Sequence, residues 1–220
     1  MIRLVHPTPI ARIYRCLLRA LGPQDWWPAR TAFEMMAGAI LTQATAWHNV
    51  EQAIDRLRRA DGLDPVRLSR MPRRRLERAI RPAGYFRQKA ERLQGFARWY
   101  VARYGGRAQR MFRRPWPALR EALLAVPGIG PETADSMLLY AGRQPVFVVD
   151  AYTKRVLSRH RRIGPMADYA QVQRLVMREM PPATYNELHA LFVAVGKRWC
   201  HRGRPDCRRC PLDTFPHTAR

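Results

Sequence analysis

The sequence predicts an all-α protein, and three observations carry that prediction. Apolar residues recur at helical spacing through most of the chain. The one β-like run, Val146-Phe147-Val148-Val149, has no second strand to pair with. A Pro-Gly-Ile-Gly-Pro turn at 127–131 joins two apolar helical stretches, the pattern of an αα-hairpin.

Residues 9–21 place Ile10, Ile13, Tyr14, Leu17 and Leu18 on one helical face, with Cys16 among them as a core thiol. Gly22-Pro23 ends that helix. The loop Asp25-Trp26-Trp27-Pro28 carries two adjacent indoles, as a hydrophobic plug or as the wall of an aromatic pocket. Residues 31–44 read as an apolar helix, and Thr45-Ala46-Trp47-His48 interrupts the pattern. Asn49 to Arg59 resumes it, with Val50, Ala53, Ile54 and Leu57 inward. Short helices are expected at 63–68 and 72–80, then a turn at Gly84-Tyr85-Phe86. A long helix runs from Gln88 to Tyr104 until Gly105-Gly106 stops it. Residues 107–116 read as basic and irregular, and Leu119 to Leu124 leads into the hairpin. Val146 to Val149 reads as a buried extended segment that delivers Asp150. Residues 151–160, 169–180 and 185–197 are helical, and 200–220 is a Cys- and Arg-rich tail.

Gly128 and Gly130 lack a Cβ, so the hairpin can be tight and a ligand can approach its backbone. Pro131 suits the first turn of the second helix, where its missing N–H is no loss. The free N–H groups at such a helix start form an anion site; on the bland reading the glycines serve packing alone. Charge points to the anion. Lys plus Arg number 40 against 17 Asp plus Glu, a net +23. Such an excess suits a polyanion, nucleic acid before an anionic membrane. No apolar run reaches the ~18 residues of a membrane span, and residues 1–7 contain no signal-peptide apolar region. The expected setting is therefore the cytoplasm, at the nucleoid. In a reducing compartment the cysteines Cys200, Cys207 and Cys210 read as a metal or iron–sulfur site before a disulfide.

Twenty residues after Gly130 stands Asp150, in Val149-Asp150-Ala151-Tyr152-Thr153-Lys154-Arg155. With it the chain resembles the helix-hairpin-helix glycosylases of the endonuclease III kind. The matching residues are Leu124-x-x-Pro127-Gly128-Ile129-Gly130, Thr133-Ala134, Val149-Asp150 with Arg155, and Cys200-x6-Cys207-x2-Cys210-Pro211-Leu212. Gln43-Ala44-Thr45 and Gly84-Tyr85-x3-Lys89-Ala90 match more weakly, and the set runs in order from residue 31 to 212. The resemblance implies a two-domain all-α fold with a DNA-binding cleft between domains: six helices at 31–143, a second domain from 1–30 with 144–199, and the tail at 200–220. It implies that Pro127, Gly128, Ile129, Gly130 and Thr133 hold DNA phosphate, that Gln43 fills the gap left by an extruded base, and that Asp150 is catalytic. Asp150 also reads as an N-cap of the helix that starts at Ala151, and Gln43 as a helix-end cap or surface residue.

Bifunctional relatives carry, just after the hairpin, a Lys that forms a Schiff base; here Glu132 stands there. Of the lysines Lys89, Lys154 and Lys197, Lys154 is expected to pair with Asp150 four residues earlier. In this respect the chain is similar to the endonuclease-III-like 3-methyladenine DNA glycosylases, which share Ile40-Leu41-Thr42-Gln43 followed by an aromatic, Trp47, and a Trp26-Trp27-Pro28 segment. That likeness implies a base pocket of Trp26, Trp27, Pro28, Trp47 and Lys197, and release of a cationic purine from damaged double-stranded DNA by a monomer. Each Trp reads equally as core filling. The tail in the family binds a [4Fe–4S] cluster through four Cys; here Pro216 holds the fourth place and His217 follows it. Cluster ligation by Cys200, Cys207, Cys210 and His217, a zinc ion on the same ligands, and no metal all stay open. Arg202 and Arg204 in the tail loop are expected to touch phosphates. The rival readings are a lyase-active enzyme on oxidised or mismatched bases, and a DNA-binding module without catalysis.

Overall fold

The computed structural model describes residues 8–218. Residues 1–7, read for a signal-peptide apolar region, lie outside them. Among the described residues no strand occurs, and no helix is long and apolar enough to cross a membrane. The chain divides into two compact units at Trp26/Trp27 and Gln144/Pro145; the first takes both chain ends and the second is Trp27–Gln144.

In the first unit, α1 (Pro9–Leu21) begins at Thr8, whose hydroxyl accepts from the Ala11 amide, and turns its Ile10, Ile13 and Leu17 face inward. Cys16 is half-buried rather than a core thiol, and its Sγ donates to the Pro211 carbonyl, tying the helix to the tail.

The second unit is built around α2 (Ala32–Leu41). It is apolar on every side and buried on every side, the signature of a central core helix. It stops three residues before the expected end, because the Thr42 hydroxyl bonds back to the Gly38 carbonyl and Ala44 takes a left-handed φ of 51°. Trp47 and His48, expected to interrupt the helices, open α3 (Trp47–Arg59) instead. Next come α4 (Pro65–Arg70), capped by Asp64, and α5 (Arg73–Ile80). The long α6 (Phe86–Tyr104) starts two residues earlier than expected, after Tyr85 turns through φ 44°. Phe33 of α2 stacks on Phe96 and Tyr100 of α6 with interplanar angles of 8° and 6°. The stretch expected to be irregular contains α7 (Ala108–Phe112) and the first residue of α8 (Trp116–Leu124). The hairpin leads to α9 (Pro131–Ser136), which continues through a π-helical turn at Met137–Ala141.

The chain then returns to the first unit. Val146 to Val149 run extended and buried. Their polar backbone is satisfied by side chains instead of a ladder: Gln173 donates to the Phe147 carbonyl at 2.6 Å, and the Val149 amide donates to the Tyr169 hydroxyl at 3.3 Å. The segment feeds α10 (Ala151–Arg159), followed by α11 (Tyr169–Glu179) and α12 (Tyr185–Arg198). Helices α10 and α12 cross closely at Gly196, where a Cβ would stand 2.2 Å from the Tyr152 ring.

Candidate functional site

The hairpin is held from behind by a polar network that no local pattern announces. Val126 and Ile129 are buried beneath the turn, while Pro127, Gly128 and Gly130 are exposed. Gly128 sits at φ +84°, and a Cβ there would lie 2.4 Å from the Arg92 stem. Arg92 Nη1 donates to Gln43 Oε1 at 2.6 Å, and Gln43 Nε2 donates to both the Gly128 carbonyl and the Thr133 hydroxyl at 3.0 Å. Gln43 is thus neither a helix cap nor a loose surface amide. Thr133 is buried and serves this network. Gly130 is the N-cap of α9 and offers no side chain to cap it. The exposed Glu132 occupies its first turn. Deeper in α9, Asp135 is fully buried and takes two bonds from Arg120 of α8, at 2.6 and 3.0 Å.

In the same unit Trp27, Pro28 and Trp47 line one open cavity with Gly38 of α2. Trp27 meets Trp47 edge to face at 5.0 Å and 87°. Its far side meets Tyr140, which the π-helical turn carries, at 5.4 Å. A Cβ at Gly38 would stand 3.4 Å from the Trp27 indole nitrogen, so the glycine lets the ring lie flat against α2. Trp26 and Lys197, expected in the same pocket, belong to the other unit. There they form their own pair, the Lys197 ammonium 5.6 Å from the Trp26 ring centroid.

Asp150 caps α10: its Oδ1 accepts from the Thr153 amide at 2.7 Å. The second oxygen faces His189 Nε2 of α12 at 3.6 Å. Burial of Asp150 works to raise its pKa. The His189 imidazole and the Thr153 amide outweigh that, and the carboxyl lies below its ordinary value. His189 is itself buried, edge-on to Phe147 at 6.2 Å. Sequence reasoning passed over it, although a lone histidine on the inward face of an apolar helix was a signal. The expected Lys154–Asp150 ion pair is replaced: the Lys154 ammonium donates to the Ala167 carbonyl at 3.2 Å. The partner of Asp150 comes from another helix.

The tail folds back on the same unit. Cys200, Cys207, Cys210 and His217 line one small cavity. Arg159 Nη1 donates to Cys200 Sγ at 3.1 Å, and Arg155 binds the Cys200 and Gly196 carbonyls. His217 stacks on His160 at 5.8 Å and faces Asp213 at 3.6 Å. Burial pushes the Cys210 thiol up to about 11. Three thiols and an imidazole around one cavity are the soft donors an iron–sulfur cluster takes. No three His, Cys, Asp or Glu side chains among the described residues converge as a single metal ion requires. Arg202 and Arg204 stand exposed on the loop between the first two cysteines.

Known proteins are similar to this chain in sequence and fold. The family model described as HhH-GPD superfamily base excision DNA repair protein matches residues 37–182. A Methanocaldococcus jannaschii protein, whose designation as a DNA repair glycosylase is provisional, is 41% identical over 94% of this chain and 94% of its own. Endonuclease III of Thermotoga maritima is 27% identical over 82% of this chain and 80% of its own. Among solved structures, an H. pylori 3-methyladenine DNA glycosylase bound to 1,N6-ethenoadenine superposes with a TM-score of 0.73 at 26% identity, covering 85% of this chain and 96% of that one. A trapped endonuclease III–DNA covalent intermediate shares the fold, with a TM-score of 0.79 at 23% identity over 93% and 94% of the chains.

Proposed function

The chain belongs to the HhH-GPD superfamily of base excision DNA repair proteins, a family of DNA glycosylases, and on that premise we propose that it is a monofunctional enzyme that removes alkylated purines, 3-methyladenine first. The observation that carries the absence of lyase chemistry is the state of its amines. Glu132 stands where a bifunctional relative needs a Schiff-base Lys. Lys89 is buried and committed to the Leu41 and Ala83 carbonyls. Lys154 is bonded to Ala167, and Lys197 lies over Trp26.

The reaction follows from the groups that remain. The Gly128 and Gly130 amides of the hairpin and the basic side chains Arg202 and Arg204 grip the phosphates of duplex DNA, and the monomer extrudes the damaged nucleotide. Gln43, already tied to the hairpin, is set to enter the emptied stack. The indoles Trp27 and Trp47, beside Pro28, hold the base by stacking and cation–π attraction. N3-alkylation leaves the purine cationic and a good leaving group, so no strong general acid is needed. Asp150 is the catalytic residue: ionised, it stabilises the oxocarbenium-like sugar or orients the attacking water. Its Oδ1 is fixed by the cap, and its Oδ2 faces His189, which holds the carboxylate in place.

The tail's donor set suits a [4Fe–4S] cluster held by Cys200, Cys207, Cys210 and His217. Such a cluster would supply a structural clamp that ties the loop carrying Arg202 and Arg204 to its unit. Absorbance near the visible charge-transfer bands with iron and zinc analysis tests this; zinc alone, or neither metal, overturns it.

The functional test is to incubate the protein with methylated duplex DNA, identify the released bases, and examine the strand with and without alkali. Free 3-methyladenine with breaks only after alkali is the expected result. Breaks without alkali, trapped by borohydride, identify a lyase. Tight, salt-sensitive binding with no base released identifies a binding module.

A further inference from the structure

The cavity between α2 and α3 has an electrostatic character opposite to that of the chain. Trp47, Glu51 and Asp55 fall at i, i+4 and i+8 on α3 and so share one helical face. Across from them stand Trp27 and Glu34. Three carboxylates thus line a cavity whose one guanidinium is Arg58, in a protein of net charge +23. Arg58 is divided between two of them, reaching Glu34 at 2.9 Å and Asp55 at 2.5 Å. Glu51 is exposed on the cavity side and has no ion pair among the described residues.

We infer that Glu51 and Asp55 make this cavity discriminate for purines that carry a positive charge over neutral lesions of similar size. The inference rests on the glycosylase reading above and concerns the same base pocket. Carboxylates beside a DNA-binding surface oppose the phosphates, so they bring no advantage to a neutral base, which gains only stacking and apolar contact. A cationic base gains twice. Its ring is attracted to the indole faces, and its charge meets the uncompensated carboxylate of Glu51 and the partly compensated one of Asp55. The indole wall is preorganised for this, since Trp27 is held between Trp47 and Tyr140 and backed by Gly38. Glu34 is buried against Arg58. Its role is to keep that guanidinium from neutralising the α3 carboxylates outright.

The test compares single-turnover release of 3-methyladenine with release of 1,N6-ethenoadenine, a neutral lesion, by the full chain and by Glu51→Gln, Asp55→Asn and the double variant. Both positions are solvent-exposed, and a thermal melt checks that each variant folds. The ratio of the two rates is expected to fall about fivefold for Glu51→Gln, the size of one partly screened ion pair, and by less for Asp55→Asn, whose charge Arg58 already compensates in part. An unchanged ratio overturns the inference. If the unaltered protein releases neither base, the glycosylase reading fails, and the cavity is then judged on binding alone. Quenching of tryptophan fluorescence by 7-methylguanosine, under mildly acidic conditions where its ring is cationic, is compared with quenching by guanosine. Preference for the cation that disappears in the double variant sustains the inference. Equal quenching by both nucleosides, or by neither, overturns it.

Discussion

Helices α9 and α10 begin in opposite ways. The first starts at Gly130, which has no side chain with which to cap the helix. The second starts at Asp150, whose own carboxylate caps the Thr153 amide. Both starts concentrate the same backbone donors and the same positive end of a helix dipole. One start has no side-chain cap, and the other is capped from within. In the proposed mechanism the uncapped end takes a phosphate from DNA, whereas at the capped end the His189 imidazole and the Thr153 amide together outweigh burial and hold the carboxyl below its ordinary range. The same local physics therefore yields a clamp in one place and a charged reagent in the other, and the residue at the N-cap position decides which.

That contrast can be broken from several sides. The largest effect is expected on removing the brace of the uncapped end. Arg120→Ala deprives the fully buried Asp135 of its two-bonded partner, and losing one side of a buried pair costs about 3–5 kcal/mol. Urea unfolding should show this, and a loss under 1 kcal/mol would mean α9 is held by other means. Gly128→Ala comes next. It places a Cβ at φ +84° against Arg92, and a cost of roughly 1–3 kcal/mol is expected for the strained backbone. Arg92 must then leave Gln43, and fluorescence anisotropy should register weaker DNA binding.

At the capped end, His189→Ala should slow base release about tenfold, in the range of a lost charge-assisted contact, without changing DNA affinity. His189→Gln, which keeps a donor, should recover most of the rate. A merely structural histidine would show the same loss for both variants.

A further effect is a pH dependence. Lys89 is 1% exposed and donates to the Leu41 carbonyl, two residues before Gln43. Burial, with Arg92 nearby, lowers its pKa to about 8. The unfolded chain, with an ordinary lysine near 10.4, binds more protons between those values, so folding stability rises with pH from about 8 toward 10. Below about 8 both states are protonated and the contribution is flat. The urea midpoint of the unaltered protein relative to Lys89→Met should therefore climb over that window; a flat difference would contradict the assignment.

The contrast itself was half legible in the sequence. Helix α1 lies where its periodicity and flanking turn residues predict, and the Pro-Gly-Ile-Gly-Pro hairpin and the Asp150 cap were readable because each is a local device. Trp27, Pro28 and Trp47 line one cavity, whereas Trp26 and Lys197, which the resemblance put beside them, belong to the other unit. Short α7 escaped because five residues give too little periodicity to read. The start of α3 escaped because its N-cap, Ala46, makes no side-chain bond. Partners supplied from a distance were out of reach on principle. Arg92 and Gln43 are 49 residues apart, and His189 comes to Asp150 from a different helix. No spacing rule links such residues before the chain has folded.

Asp150→Asn tests the division between clamp and reagent most directly. Asn caps a helix as well as Asp does, so α10 and the fold should persist while the charge is lost. The account predicts base release from methylated DNA slower by about 10²–10³-fold, the size of one electrostatic stabiliser, with DNA affinity unchanged. Release at an undiminished rate, or a parallel collapse of binding, would contradict it.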